Sequence, residues 1–428
     1  MRRSLFLLAA VITIAPASAQ PIHLGELLDA ARSTDPRLQQ HQLESEQLEL
    51  RLANIAAERR PSLSVEGQAQ YQSDVIQIPL RSADGSPLSS PPKDTWDASI
   101  RLEQTILDPS LRARLAAERA RLAEATARVE TALYSIRHEV NEAFFAAASL
   151  QEREAQIDTA ITDLAARLEE TKIRVAEGAA LPSDAATIEA VLLIRRQDKL
   201  QLRAQREGAL GRLGELTGRT ITVGDELALS DHSAAVAGVL ADLGAIRVRP
   251  EYEQFARSKE RLAAQVDILE TRTDPRITAY GRAGYGKPGL NPLSTGFDTY
   301  LLAGVRLMWK PWDWGVAERE RKQLELQQQT IESEEVAFER NLRKSVQNDI
   351  ATIAKMTEVL DLDARIVELR ELIERETRMR YDERAVTAAE MVDKTTDVLE
   401  ARLLRAVHQV ELAQTRARML TVLGLEAR

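Results

Sequence analysis

Between residues 62 and 310, four stretches of the chain alternate apolar and polar side chains with a period of two. In TWDASIRLEQTI, Trp96, Ala98, Ile100, Leu102 and Ile106 fall on one side, and Thr95, Asp97, Ser99, Arg101, Glu103 and Thr105 on the other, which faces water. Segment 62 to 71 sets Leu63, Val65, Ala69 and Tyr71 against Ser64, Glu66, Gln68 and Gln70. Segment 276 to 286 sets Ile277, Ala279, Ala283 and Tyr285 against Arg276, Thr278 and Arg282. Segment 297 to 310 sets Phe297, Leu301, Val305, Leu307 and Trp309 against Asp298, Arg306 and Lys310. Successive side chains of a strand point to opposite faces, so each stretch reads as a strand with one wet and one apolar face. All nine charged residues of these stretches have the polar parity.

Elsewhere the apolar spacing changes to mixed threes and fours, as in Ile157, Ile161, Leu164 and Leu168, which marks helices packed as in coiled coils. Residues 110 to 178 carry neither Pro nor Gly before their end, and 315 to 383 offer a second such run. At 1.5 Å per residue each helix is about 100 Å long, more than a compact globule needs.

The elements come in two copies. Pro36, Pro61, Gly67, Ala69 and Tyr71 recur 214 residues later as Pro250, Pro275, Gly281, Ala283 and Tyr285, and the offset then falls to about 206, as Arg174 matches Arg380. A shorter second loop accounts for the fall: residues 74 to 93 form a twenty-residue Pro, Ser and Gly-rich connection, whereas 287 to 296 has ten. Both read as turns between strands. The first repeat, 20 to 219, therefore reads as helix, strands at about 62 to 73 and 94 to 107, long helix 110 to 178 and helix 183 to 217. A linker, 220 to 245, leads to the second repeat, 246 to 428: helix, strands at about 275 to 286 and 297 to 310, long helix 315 to 383 and helix 386 to 423.

Residues 1 to 19 read as a secretory leader, with Arg2 and Arg3, an apolar core from Leu5 to about Ala15 and Ala17-Ser18-Ala19 before Gln20. That core is too short for a membrane helix, which needs roughly twenty residues, and no later segment supplies a long uncharged apolar run. A mature chain that enters a membrane must then do so through its strands. Without cysteine, disulfides and thiolate metal sites are excluded. Loss of Arg2 and Arg3 takes the formal charge from -9 to -11, which disfavours nucleic acid as a partner. No catalytic signature is present: GYGK at 284 to 287 stands before Pro288 and cannot open a phosphate-binding helix, and His23, His41, His138, His232 and His408 lack ligand spacing. Neither an enzymatic role nor a cofactor is expected.

Trp96, Trp309, Trp312 and Trp314 lie in or just beyond the strands, where an aromatic girdle at a membrane interface belongs. The same hairpins read alternatively as amphipathic sheets on a soluble core, in a periplasmic coiled-coil scaffold, or as parts of an envelope-spanning tether or adhesin. Four strands cannot close a barrel, and open edges in lipid leave backbone groups unpaired, so the membrane reading demands an oligomer with a multiple of four strands and about eight as the minimum. The loops at 74 to 93 and 287 to 296 then face the cell exterior.

The chain resembles the TolC-like outer membrane efflux proteins over essentially its whole mature length. The resemblance rests on the twofold repeat, on LGELLDAARSTDPRL and its echo LADLGAIRVRPEY, on RVAEGAALPSDA and RYDERAVTAAEMVDKTTDVL at the long turns, and on GRLGELTG at the first repeat's end. It implies an α+β membrane protein, a homotrimer closing a twelve-stranded barrel in outer membrane lipid above a periplasmic α-barrel. It also implies a periplasmic adaptor joining it to an inner-membrane transporter, as the exit duct of a tripartite efflux or type I secretion system. By that resemblance Gly178, Leu181, Pro182 and Ser183 belong to an adaptor-facing tip, and Pro182 with Ser183 makes a sound helix start. Glu390 and Asp393 match the acidic pair of the periplasmic gate, and at i and i+3 they share a helix face. Tyr381 and Asp184 match positions that latch neighbouring helices. Val386 stands where the family's type member has arginine, which leaves Arg384 as the candidate substitute.

Overall fold

In a computed structural model of the protein, residues 21–76, 90–241 and 248–426 are described. The leader, the middle of the first long loop and the end of the linker lie outside the described residues.

The chain forms two compact units, each drawing segments from both repeats: one comprises the described residues up to Leu38, Ala132–Arg249 and those from Glu339 onward, the other Gln39–Thr131 and Pro250–Phe338.

The first unit opens with strand β1 (Ile22–His23) and helix α1 (Leu24–Thr34), whose Leu24, Leu27, Leu28 and Ala31 are buried at helical spacing. The single helix expected at the start of the first repeat is in fact two. Pro36 forces extended backbone on Asp35 (φ -67°, ψ 125°) and ends α1. Asp35 accepts from the backbone N–H and guanidinium of Arg37, which holds its carboxyl below the usual range. A 3-10 turn then leads to α2 (Gln40–Ala57).

In the second unit α2 is followed by β2 (Ser62–Tyr71) and β3 (Asp94–Leu107), and by the start of α3 (Ser110–Ala176), a helix of 67 residues. The first unit continues with the rest of α3 and with α4 (Pro182–Thr217), β4 (Leu227–Ala228) and α5 (Ser233–Ala241). β4 and α5 occupy the expected linker, which is therefore folded where described. β4 pairs in parallel with β1, and buried Arg206 donates to Gln151, Glu154 and the carbonyl of Asp225 to hold the connection down.

The second unit resumes with α6 (Pro250–Glu270), β5 (Arg276–Lys287) and β6 (Asp298–Met308). It ends with the start of α7 (Val316–Asp382), again 67 residues, and α8 (Ala388–Leu423) completes the first unit. α4 and α8 both end on a glycine with positive φ, Gly218 at 65° and Gly424 at 87°, a left-handed cap that other residues take only at a cost.

The core of the first unit is a helix-packing seam. Leu164, Leu168, Ile188, Leu192, Met391 and Val392 form one cluster, and Ile157, Ala160, Leu202 and Leu399 another. Phe144, Leu27, Leu210, Leu213, Met419 and Leu420 are fully enclosed. Helices of the second unit are joined more by charge: Arg51 to Glu118 at 2.9 Å, Arg261 to Glu124 at 2.6 Å and Lys259 to Glu335 at 2.9 Å. Its apolar contacts include an aromatic trio, with Phe338 at 5.5 Å from Tyr252 and 5.9 Å from Phe255.

The sheet of this unit has the order β2-β3-β5-β6, antiparallel throughout. Its two hairpins have one register. Ser62 pairs with Glu103 and Arg276 with Met308, so the second pair is the first moved by the repeat offsets, 62 to 276 and 103 to 308. The start of each long helix repeats too: Asp108 accepts from Ser110 N–H at 3.0 Å, and Asp313, 205 residues later, from Gly315 and Ala317 N–H at 3.0 and 2.7 Å. These carboxylates take up N–H groups that the first turn of a helix leaves free. Asp108 also meets Arg276 at 3.1 Å. Asp108→Ala should cost about 1 kcal/mol of stability, and Asp108→Asn much less. Thermal melts followed by far-UV circular dichroism test this, and equal losses for the two variants would contradict the capping role.

Candidate functional site

Side chains paired directly across the sheet share a face, and the register puts the two parities on opposite sides. One face is apolar and open to solvent over most of its area, with Ile277 and Ala279 of β5 half-buried. Val65 is 80% exposed, Leu301 75% and Val305 67%, and Leu63, Ile100, Leu102 and Leu307 lie on the same face. Among the described residues no helix covers them.

Aromatic side chains stand at both ends of this face. Tyr71, Trp96, Tyr285 and Phe297 lie at the end of the sheet next to the strand-joining loops, with Tyr285 and Phe297 stacked at 5.4 Å. Trp309, Trp312 and Trp314 follow β6 toward α7, and all are exposed, Trp314 at 80%. The four tryptophans are thus divided between two bands. From Trp96 to Ile106 the strand rises about 33 Å at 3.3 Å per residue, which at barrel-like tilt matches an apolar band about 25 Å tall.

The opposite face carries a charge network. Arg282 donates to Ser99 at 2.9 Å and pairs with Asp97 at 2.5 Å; Asp97 also accepts from the Tyr300 hydroxyl at 2.5 Å. Arg101 reaches Glu66 at 3.2 Å and Glu103 at 3.8 Å, and Arg306 reaches Glu103 at 4.0 Å. Two tyrosines lie over glycines of the facing strand: a Cβ on Gly284 would come within 2.5 Å of the Tyr300 ring, and one on Gly304 within 2.7 Å of the Tyr280 hydroxyl. Sequence reasoning missed these clasps, although Gly-Tyr pairs at one parity were a signal for them. Ser99, expected to face water, has the expected parity but is only 4% exposed beneath this network.

In the first unit, the turns α3-α4 and α7-α8 line one cleft of about 540 Å³. Of the expected tip and latch residues, Gly178, Leu181, Asp184, Tyr381 and Arg384 all line it, with Val386, while Pro182 and Ser183 form the first turn of α4. Arg174 and Asp382 join the two long helices beside it at 3.0 Å. The two turns are repeat equivalents with different chemistry. Gly178 and Arg384, 206 apart, both have positive φ, 70° and 61°. Asp184 caps its own helix by accepting from Leu181 N–H at 3.1 Å, whereas in the second turn Thr387 Oγ1 accepts from Glu390 N–H at 3.2 Å.

Tyr381 packs on the Leu164–Met391 cluster, and its buried hydroxyl has no hydrogen-bond partner. The structure therefore gathers the expected latch residues without a bond from the Tyr381 side chain to Asp184 or Arg384, although the Arg384 N–H donates to the Tyr381 carbonyl at 3.0 Å within the turn. Glu390 and Asp393 are both exposed and flank the buried pair Met391 and Val392. Lys394 turns to Asp397, at 3.4 Å, and leaves Asp393 without it.

Left-handed backbone costs a non-glycine residue about 1 kcal/mol or more. Arg384→Gly should therefore slow amide exchange across residues 380 to 388, and Gly178→Ala should speed it across 174 to 182. Exchange read by mass spectrometry decides, and the opposite pair of signs would contradict these turn conformations.

No protein-family model matches the sequence, and no curated protein matches it significantly. Solved structures do match. The outer-membrane channel OprN aligns over 94% of this chain and 89% of its own at 18% identity and a TM-score of 0.65. The outer membrane protein VceC of Vibrio cholerae aligns over 95% and 97% at 15% identity and 0.65. The MtrE outer membrane channel of Neisseria gonorrhoeae, in its open state, aligns over 94% and 89% at 18% identity and 0.63. At this level of identity the likeness is one of fold, and the chain has the fold of the TolC-family outer-membrane channels.

Proposed function

We propose that the protein is a channel subunit of a bacterial outer membrane, the passive exit duct of an efflux or secretion system, and not an enzyme. Three copies close a twelve-stranded barrel in lipid, and the long helices extend into the periplasm, where the tip around Gly178, Leu181, Pro182 and Ser183 meets a periplasmic adaptor linked to an inner-membrane transporter. The observation that carries this reading is the sheet. An exposed apolar face bounded by aromatic bands fits lipid, and a paired charge network on the other face fits a wet lumen. Trp96 belongs to the outer girdle, and Trp309, Trp312 and Trp314 to the periplasmic one. A soluble scaffold would leave that apolar face in water, and a tether has no use for a charged inner face.

Cell fractionation and planar-bilayer recording test the proposal: the protein should need detergent for extraction and should form conducting pores. Extraction by salt alone would refute it. Leu301→Arg should cost about 2 to 4 kcal/mol near the bilayer midplane, whereas Gln70→Arg, on the polar face, should cost little. Equal effects on assembly, read by heat-resistant oligomer on gels, would overturn the assignment of faces.

For the gate, Glu390 and Asp393 of three copies place six carboxylates around one axis, a focused negative potential that favours cations. Tyr381, Asp184 and Arg384 line the cleft from which the closing contacts would be made. The channel should be cation-selective and blocked by a trivalent cation from the periplasmic side. Replacing both acids with Ala should weaken the block at least tenfold, about 1.4 kcal/mol. Unchanged block in single-channel recordings would return both residues to the role of solvated helix positions.

A further inference from the structure

Among the described residues the sheet leaves two edges unpaired, the outer sides of β2 and β6, and the internal repeat specifies what fits them. β2 corresponds to β5 and β3 to β6, at offsets of 214 and 205, and the two hairpins have the same register under those offsets. The chain therefore holds one complete example of how one repeat's outgoing strand meets the next repeat's incoming strand: the junction of β3 with β5. β6 is likewise an outgoing strand and β2 an incoming one, and within one chain they lie at opposite edges.

We infer that β6 of one copy pairs antiparallel with β2 of a second copy of this chain in the register of β3 with β5, so that Arg306 stands opposite Gln68 of the next copy. This rests on the channel reading and goes beyond it by fixing which residues meet. In the internal junction Arg101 faces Arg282, Ile100 faces Ala283, Leu102 faces Gly281 and Ala98 faces Tyr285. Moving each partner by its repeat offset gives Arg306 opposite Gln68, Val305 opposite Ala69, Leu307 opposite Gly67 and Ala303 opposite Tyr71.

The side chains suit this arrangement. Each apolar pair sets a larger residue against a smaller one, which lets the lipid-side surface close without steric overlap. On the polar face no two like charges stand directly opposite, and the Arg-Arg opposition of the internal junction becomes Arg-Gln. Glu66, which already meets Arg101 at 3.2 Å, lies one diagonal from Arg306 of the neighbour. The junction is head-to-tail, so it cannot end in a symmetric pair: it closes a ring or continues, and it removes both open edges at once.

The absence of native cysteine makes the test direct. Full-length chains carrying Gln68→Cys with Arg306→Cys, expressed in an envelope with a mild oxidant supplied, should form interchain disulfides. The yield on non-reducing gels should exceed by at least fivefold that of the offset pairs Glu66→Cys with Arg306→Cys and Gln70→Cys with Arg306→Cys. Arg101→Cys with Arg282→Cys, the equivalent pair inside one chain, controls for folding and for disulfide geometry at this position. If that control fails to oxidise, Ala69→Cys with Val305→Cys and its internal equivalent Ile100→Cys with Ala283→Cys are used instead. A higher yield from an offset pair overturns the register and leaves the channel reading in place. No interchain product from any pair, with the internal control formed, overturns both. A product with the mass of a different protein overturns the second copy as the occupant.

Discussion

Among the described residues nothing covers the apolar face of the four-stranded sheet, and the other features of the fold are arranged around that fact. In water, so large a contiguous apolar surface would drive association without specificity. Here it is bounded at both ends by aromatic side chains and carried on strands whose polar parity pairs its charges among themselves. A surface built like that fits a solvent of defined thickness better than a protein partner of defined shape. In the lipid of the proposed function, the free edges of β2 and β6 would become the strongest demand of the structure, because backbone N–H and C=O groups have no water to bond there.

The helices answer a different constraint. α3 and α7 run through 67 residues each, and a helix of that length cannot be stabilised by one apolar core. It depends on narrow seams of Leu, Ile, Val and Ala with ion pairs beside them, among them Arg167 to Glu374 and Arg402 to Glu371, each at 2.6 Å. Such pairs near water contribute little one by one. Their placement at the sides of the seams sets which helix faces meet, and this is how coiled coils select partner and register.

Period-two and period-three-to-four patterns are local, so the strands, their faces and the long helices were legible from residues alone. The repeat added the equivalence of the halves, because Pro36 and Pro250, or Tyr71 and Tyr285, recur at fixed separations. What could not be read is what depends on contacts distant in sequence. Gln151 meets Leu227 and Arg206 across 76 and 55 residues, so the 220 to 245 segment reads as a plain link until those bonds are seen. Ser99 has a water-facing parity, yet Arg282 and Tyr300, about two hundred residues on, cover it. The turns between the long helices and α4 and α8 were legible as turns; the unbonded hydroxyl of Tyr381 was not.

The two repeats agree in backbone and differ in chemistry, and the difference is concentrated where the helices turn. Sheet register, helix lengths of 67 and 36 residues, and closing glycines are duplicated. At the turns, Gly178 answers to Arg384, Leu181 to Thr387 and Asp184 to Glu390. The first turn is relaxed, with glycine at its left-handed position, and its acid is used by its own helix start. The second holds an arginine in that conformation and caps α8 with a threonine, which leaves the carboxylate of Glu390 out of the cap. A scaffold duplicated in backbone and decorated in this way gives its two turns different responses to charge. Under the proposed function, an opening governed by carboxylates would be driven from the second repeat, where Glu390 is free of the helix cap.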